Sequence, residues 1–277
     1  MKLLAGLLSL TRPVNVLIAV AAAVTGVLAA PRLPADWGPV FWAAVAAALV
    51  TAGGNVLNDA ADVRVDRLNK PHRPIASGAV GVAAATLWAV VLLTGAIAAS
   101  VPLPEVCQVI TVGAVAMVVV YDLWGKGQPL LGNIMVSGIS GLAFPFASLA
   151  AGLGWWGAIP GVLALLFHLG REIIKDLEDE AADRDALLRT LPVVAGRGAA
   201  RITAGSVLVL LLLALPVPWL AGWMGAAYLV LALGGVGAPV VFVLRVLAEG
   251  TDSTGWGRLS RILKWDMLVG LLAVIVG

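Results

Sequence analysis

Charge is scarce in this sequence. Only 12% of its 277 residues are Asp, Glu, Lys or Arg, 61% are hydrophobic, and the mean hydropathy is +1.00. Soluble domains carry about 25% charged residues, so this chain has too little polar surface to cover a fold in water. Cysteine is nearly absent. The single Cys107 lies in an apolar run, which excludes a disulfide framework or a cysteine metal site. Histidine is limited to His72 and His168, whose separation gives no metal-ligand pattern. His72 reads as a loop residue and His168 as a hydrogen-bonded interior one. The net charge of +2 is not gathered into a basic polar domain, so no nucleic-acid footprint exists. No linker or low-complexity tract interrupts the chain, which reads as one domain over 1–277.

What is present is a series of apolar runs. A helix needs about 20 apolar residues to cross a bilayer, and nine segments approach that length: roughly 13–31, 38–57, 80–101, 104–121, 130–152, 157–175, 203–222, 224–246 and 263–277. The expected fold class is all-α, a polytopic membrane protein of nine transmembrane helices around a central cavity. The first run does not read as a cleaved signal, because Arg12 interrupts it and the stretch beyond exceeds a signal core of about 7–15 residues.

With the N-terminus placed in the cytoplasm, nine crossings put Lys2, Arg12, Arg64, Arg67, Lys70, Arg73, Lys126, Arg171, Lys175, Arg184, Arg189, Arg197, Arg201, Arg245, Arg258, Arg261 and Lys264 on one face. Only Arg32 falls on the other. That bias follows the positive-inside rule and predicts a multi-pass protein of the cell membrane, N-terminus in and C-terminus out. The acids follow the bases. Only Asp36 and Glu105 lie outside, so the cytoplasmic face holds both signs at high density.

Two loops carry most of that density. In "NVLNDAADVRVDRLNKPHRP" the aspartates are Asp59, Asp62 and Asp66, separated by three and then four residues. In "REIIKDLEDEAADRD" they are Asp176, Asp179 and Asp183, with the same separation. On a helix these steps keep side chains on one face, and stacked carboxylates repel unless something positive sits among them. Hard divalent cations suit such a site, since Mg2+ takes oxygen ligands and combines one or two carboxylates with substrate phosphates and water. Asn55, Asn58, Arg67, Lys70, Arg73, Arg171 and Lys175 surround the two triplets as amide and cationic groups for a pyrophosphate. Glu178, Glu180 and Asp185 lie off the stripe and read as solvated. A plain ion-pair network at the membrane edge accounts for either loop alone but not for the matched spacing.

At these residues the sequence resembles the UbiA superfamily of intramembrane prenyltransferases. "NDAADVRVD" (Asn58–Asp66) is similar to its first aspartate motif and "DLEDEAAD" (Asp176–Asp183) to its second. "RLNKPHRPIASG", "REIIKDLED" and "RTLPVVAG" resemble the digeranylgeranylglyceryl phosphate synthase branch, with departures at Ala76, Ala79, Val80 and Ala182. The resemblance implies that Asn58 and the six aspartates (Asp59, Asp62, Asp66, Asp176, Asp179, Asp183) hold Mg2+, two ions, and carry catalysis. It implies transfer of a geranylgeranyl group from its pyrophosphate to the hydroxyl of geranylgeranylglyceryl phosphate. The implied partners are a polyprenyl pyrophosphate, a lipid-phosphate or aromatic acceptor, and membrane lipid.

Further candidates follow from "YDLWGK" and "TRPVN". Tyr121 and Lys126 resemble the family's pair near the pyrophosphate, with Asp122 beside them read as the partner of a neighbouring base. Arg12 and Asn15 face the same side and suit an acceptor phosphate. Gly132, Ser137, Gly138, Ser140 and Gly141 form a small-residue face for close helix packing. An aromatic or quinone-precursor acceptor is the alternative within the superfamily. An ion-coupled transporter is the alternative outside it, disfavoured because the acids sit at the membrane edge and not mid-span. The D-G-x-x-A-R signature of the CDP-alcohol phosphotransferases is missing.

Overall fold

The computed structural model describes residues 2–277, without the side chains of Lys2, Leu68 and Asn69. Helices α1 (Lys2–Leu10) and α2 (Pro13–Leu28) are joined at Arg12 with a bend of 43°. Pro13 supplies the ready-made first turn of α2, where its missing N–H has no partner to lose. Then come α3 (Gly38–Ala61), α4 (Val63–Asn69), α5 (Val82–Ser100), α6 (Glu105–Leu123), α7 (Leu131–Ala150), α8 (Ala158–Asp185) and α9 (Leu191–Ala214). The short α10 (Val217–Leu220) and α11 (Ala226–Val230) lead into a π-helical stretch, Leu231–Gly237, continued by α12 (Ala238–Glu249). The last helix is α13 (Ser253–Val276).

The described residues are all helical or irregular, with no strand. Seven of the helices are long and apolar enough to cross a membrane, or eight if the bent α1–α2 pair counts as one span. The difference from nine lies partly in α13, where Arg261, Lys264 and Asp266 shorten the uninterrupted apolar part to its last ten residues. Leu17, Val109, Ile202 and Leu213 point outward with two-thirds or more of their surface uncovered. Such residues suit lipid contact, and a backbone satisfied inside each helix is what a bilayer demands.

Between the helices, packing relies on missing side chains. Pro145 sits inside α7 and removes the N–H that would bond the Gly141 carbonyl one turn earlier. Gly161 of α8 approaches that carbonyl so closely that a Cβ on it would lie 2.7 Å away. Cβ atoms on Gly26 and Gly157 would collide with the Phe144 carbonyl. Backbones of α2, α7 and α8 therefore touch at the end of α8 away from its aspartates, as small residues permit in membranes. Of the expected small-residue face, Gly132, Ser137 and Gly141 are buried in contacts, while Gly138 meets open space and Ser140 faces a cavity.

Candidate active site

That cavity, of about 730 Å3, runs through the middle of the bundle between α2, α3, α6, α7, α8, α9, the π-helical stretch and α13. Its lining changes character with depth. At one end stand Arg12, Asn15, Asn55, Asn58, Arg73, Tyr121, Asp122, Arg171, Glu172 and Lys175, and beyond them the walls become apolar, with Phe144, Phe167, Leu211 and Val236. From Lys175 to Pro160 the lining positions on α8 span fifteen residues, or about 22 Å of helix. A charged head and a long hydrocarbon tail fit such a shape.

The first aspartate motif is not one helical face. α3 ends at Ala61 and α4 begins at Val63, with Asp62 at the break (φ −86°, ψ 4°). Asp59 and Asp66 are buried, and the break turns Asp62 toward a different partner. Arg12 forms an ion pair with Asp59, Arg73 bridges Asp59 (3.1 Å) and Asp66 (2.7 Å), and Lys126 pairs with Asp62. Arg73 reaches them from the loop after α4, where Ser77 and Gly78 close turns back onto Arg73 and Ile75.

The second motif stays on the continuous helix α8, as its spacing predicts. Among the described residues, none of Asp176, Asp179 and Asp183 has an ion-pair partner. Asp176 accepts a hydrogen bond from Asn133 Nδ2 (2.9 Å) on α7. Lys126, the partner of Asp62, also acts electrostatically on Asp183, and Lys70 acts on Glu178. The two motifs thus meet across one mouth.

None of the six aspartates lines the cavity itself. Arg12 and Arg73, which pair with Asp59 and Asp66, line it in their place, as does Lys175 beside the second motif. Of the expected binding residues, Arg12, Asn15, Asn55, Asn58, Arg73, Tyr121, Arg171 and Lys175 face the cavity, whereas Arg67, Lys70 and Lys126 do not. Arg67 is exposed on α4.

Several expectations are corrected. Asp122 is bonded to the Asn58 amide (3.0 Å) and not to a base, and its Oδ2 is buried without a partner. Glu180 is buried, because Arg184 (2.9 Å) and Arg197 of α9 clamp it, so it is not solvated. His168 makes no hydrogen bond among the described residues and lines the cavity. The sequence reading also passed over Glu172, which pairs with Arg171 (2.6 Å) and Lys175 (3.4 Å), and over Asn133, Lys264 and Asp266. Glu172 stands one turn from Asp176 and could have been read from that spacing. Asn133 carried no signal.

The donor set is suited to Mg2+ in kind, being carboxylate and amide oxygen with one buried carboxylate oxygen, Asp122 Oδ2, lacking any partner. Among the described residues no three acidic, His or Cys side chains converge on a single point. This agrees with an ion held by one or two carboxylates and completed by phosphate and water.

The pattern of the UbiA prenyltransferase family matches residues 18–268. A digeranylgeranylglyceryl phosphate synthase of Halobacterium salinarum is 40% identical over 276 residues, covering 98% of this chain and 96% of the relative. One from Methanopyrus kandleri is 39% identical over 273 residues, covering 97% of each. A solved structure of a digeranylgeranylglyceryl phosphate synthase superposes with a TM-score of 0.78 at 27% identity, covering 100% of this chain and 99% of the other. The fold is also that of a UbiA homolog from Archaeoglobus fulgidus bound to DMAPP and Mg2+, with a TM-score of 0.72 at 20% identity, covering 97% of this chain and 98% of that one.

Proposed function

This chain belongs to the UbiA prenyltransferase family, and from that premise we propose that it transfers a geranylgeranyl group from its pyrophosphate to the hydroxyl of geranylgeranylglyceryl phosphate. The observation that carries the reading is the cavity, whose mouth holds cations and amides before two aspartate motifs and whose depth is hydrocarbon. The identity to digeranylgeranylglyceryl phosphate synthases over the full chain supports the acceptor.

Asp62, Asp176, Asp179, Asp183, Asn58 and Asp122 would hold Mg2+, two ions in our reading, with Asp59 and Asp66 behind them. A metal held there would supply positive charge to the departing pyrophosphate. The chain's own cations do the rest. Arg73, Lys126 and Lys175 would donate to phosphate oxygens, and arginine does so with two parallel bonds. For Arg73 this would mean leaving Asp59 and Asp66, with Arg12 still paired to Asp59, and for Lys126 leaving Asp62, whose carboxylate would then be free to hold the metal. The apolar walls keep water from the allylic cation. Arg12, Asn15 and Arg171 suit the acceptor's phosphate.

In this reading the protein is one domain with nine crossings, α2 and α13 included, the N-terminus and the active site cytoplasmic. Cysteines placed at Lys70 and Arg184 are expected to react only with reagent on the cytoplasmic side, and labelling from opposite sides refutes the orientation. The function is tested with purified protein, Mg2+ and labelled geranylgeranyl pyrophosphate. Geranylgeranylglyceryl phosphate, its phosphate-free analogue and 4-hydroxybenzoate are offered as acceptors, and products are resolved by lipid chromatography. Transfer to the first is expected, abolished by EDTA and restored by Mg2+. A better product from either other acceptor rejects the ether-lipid assignment.

A further inference from the structure

Asp266 is a buried carboxyl group with no ion-pair or hydrogen-bond partner among the described residues. It lies on α13, is 6% exposed, and lines the central cavity. Neither carboxyl oxygen has a hydrogen-bond partner among the described residues, and Oδ2 is fully enclosed. An unpartnered carboxyl in an apolar setting destabilises a fold, so a protein that keeps one without an internal partner has a reason outside its own packing.

Its depth gives the reason. Gly257 lies against the Glu178 carboxylate, and the Ser260 carbonyl accepts from Arg171 Nε (3.2 Å). Moving along α13 therefore means moving down α8, away from the aspartates. Asp266 stands six residues past Ser260, about 9 Å deeper, where the charged mouth gives way to hydrocarbon. In the function proposed above, the reacting carbon of a prenyl pyrophosphate would stand at this boundary, with its phosphates above and its tail below. Glu172, higher up, is already neutralised by Arg171 and Lys175. Lys264, two residues before Asp266, lines the same wall without an ion pair among the described residues.

Resting on the function proposed above, we infer that Asp266 binds the acceptor's alcohol and takes its proton as the ether forms. The bond between the prenyl carbon and pyrophosphate oxygen breaks, and the pyrophosphate leaves with the electron pair. A lone pair of the alcohol oxygen makes the new carbon–oxygen bond. The alcohol proton passes to the Asp266 carboxylate, which returns it to water after the product departs. Atoms and charge balance without any further reactant.

The test compares wild type with Asp266→Asn, Asp266→Leu and His168→Asn. Asp266→Asn is expected to lower turnover at saturating acceptor by about 100-fold or more, the range of a lost proton acceptor. The dissociation constants of a non-ionising thio analogue of the donor and of an acceptor lacking the hydroxyl should stay within about twofold, which a merely structural role would not spare. Asp266→Leu is expected to raise the melting temperature of the ligand-free protein while losing transfer. Wild-type turnover in Asp266→Asn overturns the inference, as does equal weakening of both analogues. Loss in His168→Asn with Asp266→Asn unaffected assigns the proton to His168 instead. If wild type transfers to no alcohol at all, the proposed function fails and this inference goes with it. Transfer by wild type and Asp266→Asn alike refutes the inference alone.

Discussion

In the first aspartate motif every carboxylate is matched by a cation of the chain itself, and in the second, among the described residues, none is. The spacing in sequence is identical. What differs is the backbone around it: a helix break at Asp62 in one case and an unbroken α8 in the other. The break lets Arg12, Arg73 and Lys126 approach three carboxylates from separate elements, while α8 presents its three as a stripe met by Asn133 at Asp176 and by no ion-pair partner among the described residues. One motif is closed on itself and, in the function proposed above, would have to exchange partners. The other is open, and Lys175 and Lys126 relieve its repulsion only from a distance, without an ion pair among the described residues.

This contrast is open to direct attack. The largest expected effect is on activity. Asp62→Ala and Asp179→Ala should each cut prenyl transfer by at least about 100-fold, as when charge stabilisation of a leaving group is removed. For Asp179→Ala the unfolding free energy should change by less than about 1 kcal/mol, since no ion pair is lost. Retained activity at saturating Mg2+ in either variant removes the metal role, and collapse of the folded protein points to an ion-pair scaffold.

Asp59→Ala should behave differently. It strips a buried acid from between Arg12 and Arg73, and a cost of roughly 2–3 kcal/mol is expected. That is less than for a fully buried pair because both arginines are partly exposed. Thermal unfolding in detergent, with and without Mg2+, checks it. Equal stabilities for Asp59→Ala and Asp179→Ala would erase the distinction between the motifs.

The smallest effect belongs to an acid off the stripe. Arg184→Ala removes an exposed arginine four residues from Glu180, worth about 0.3–0.5 kcal/mol at most. Arg197 still holds Glu180, so transfer should be unchanged. A large loss of transfer would bring Glu180 into the site.

Much of this was legible in the sequence for plain reasons. Apolar runs declare themselves by length, and the aspartate spacing by arithmetic. The residues that escaped notice have partners distant in the chain. Glu180 looked solvated because only packing brings Arg197 beside it. Asn133 is one amide among many until α7 is laid against Asp176. Asp266 reads as the polar start of a last helix, and only the cavity reveals that nothing answers it. The break at Asp62 carries no glycine or proline in its own sequence, so helical periodicity ran through it unopposed.

The glycine contacts around Phe144 and Pro145 have a mechanical consequence. Where main chains meet without side chains between them, no rotamer change can absorb a displacement, so that end of the bundle is stiff. The opposite end is joined by long flexible arginines and lysines that tolerate stretching and re-pairing. The central cavity is therefore bounded by a stiff floor at the glycines and an adjustable rim at the cations.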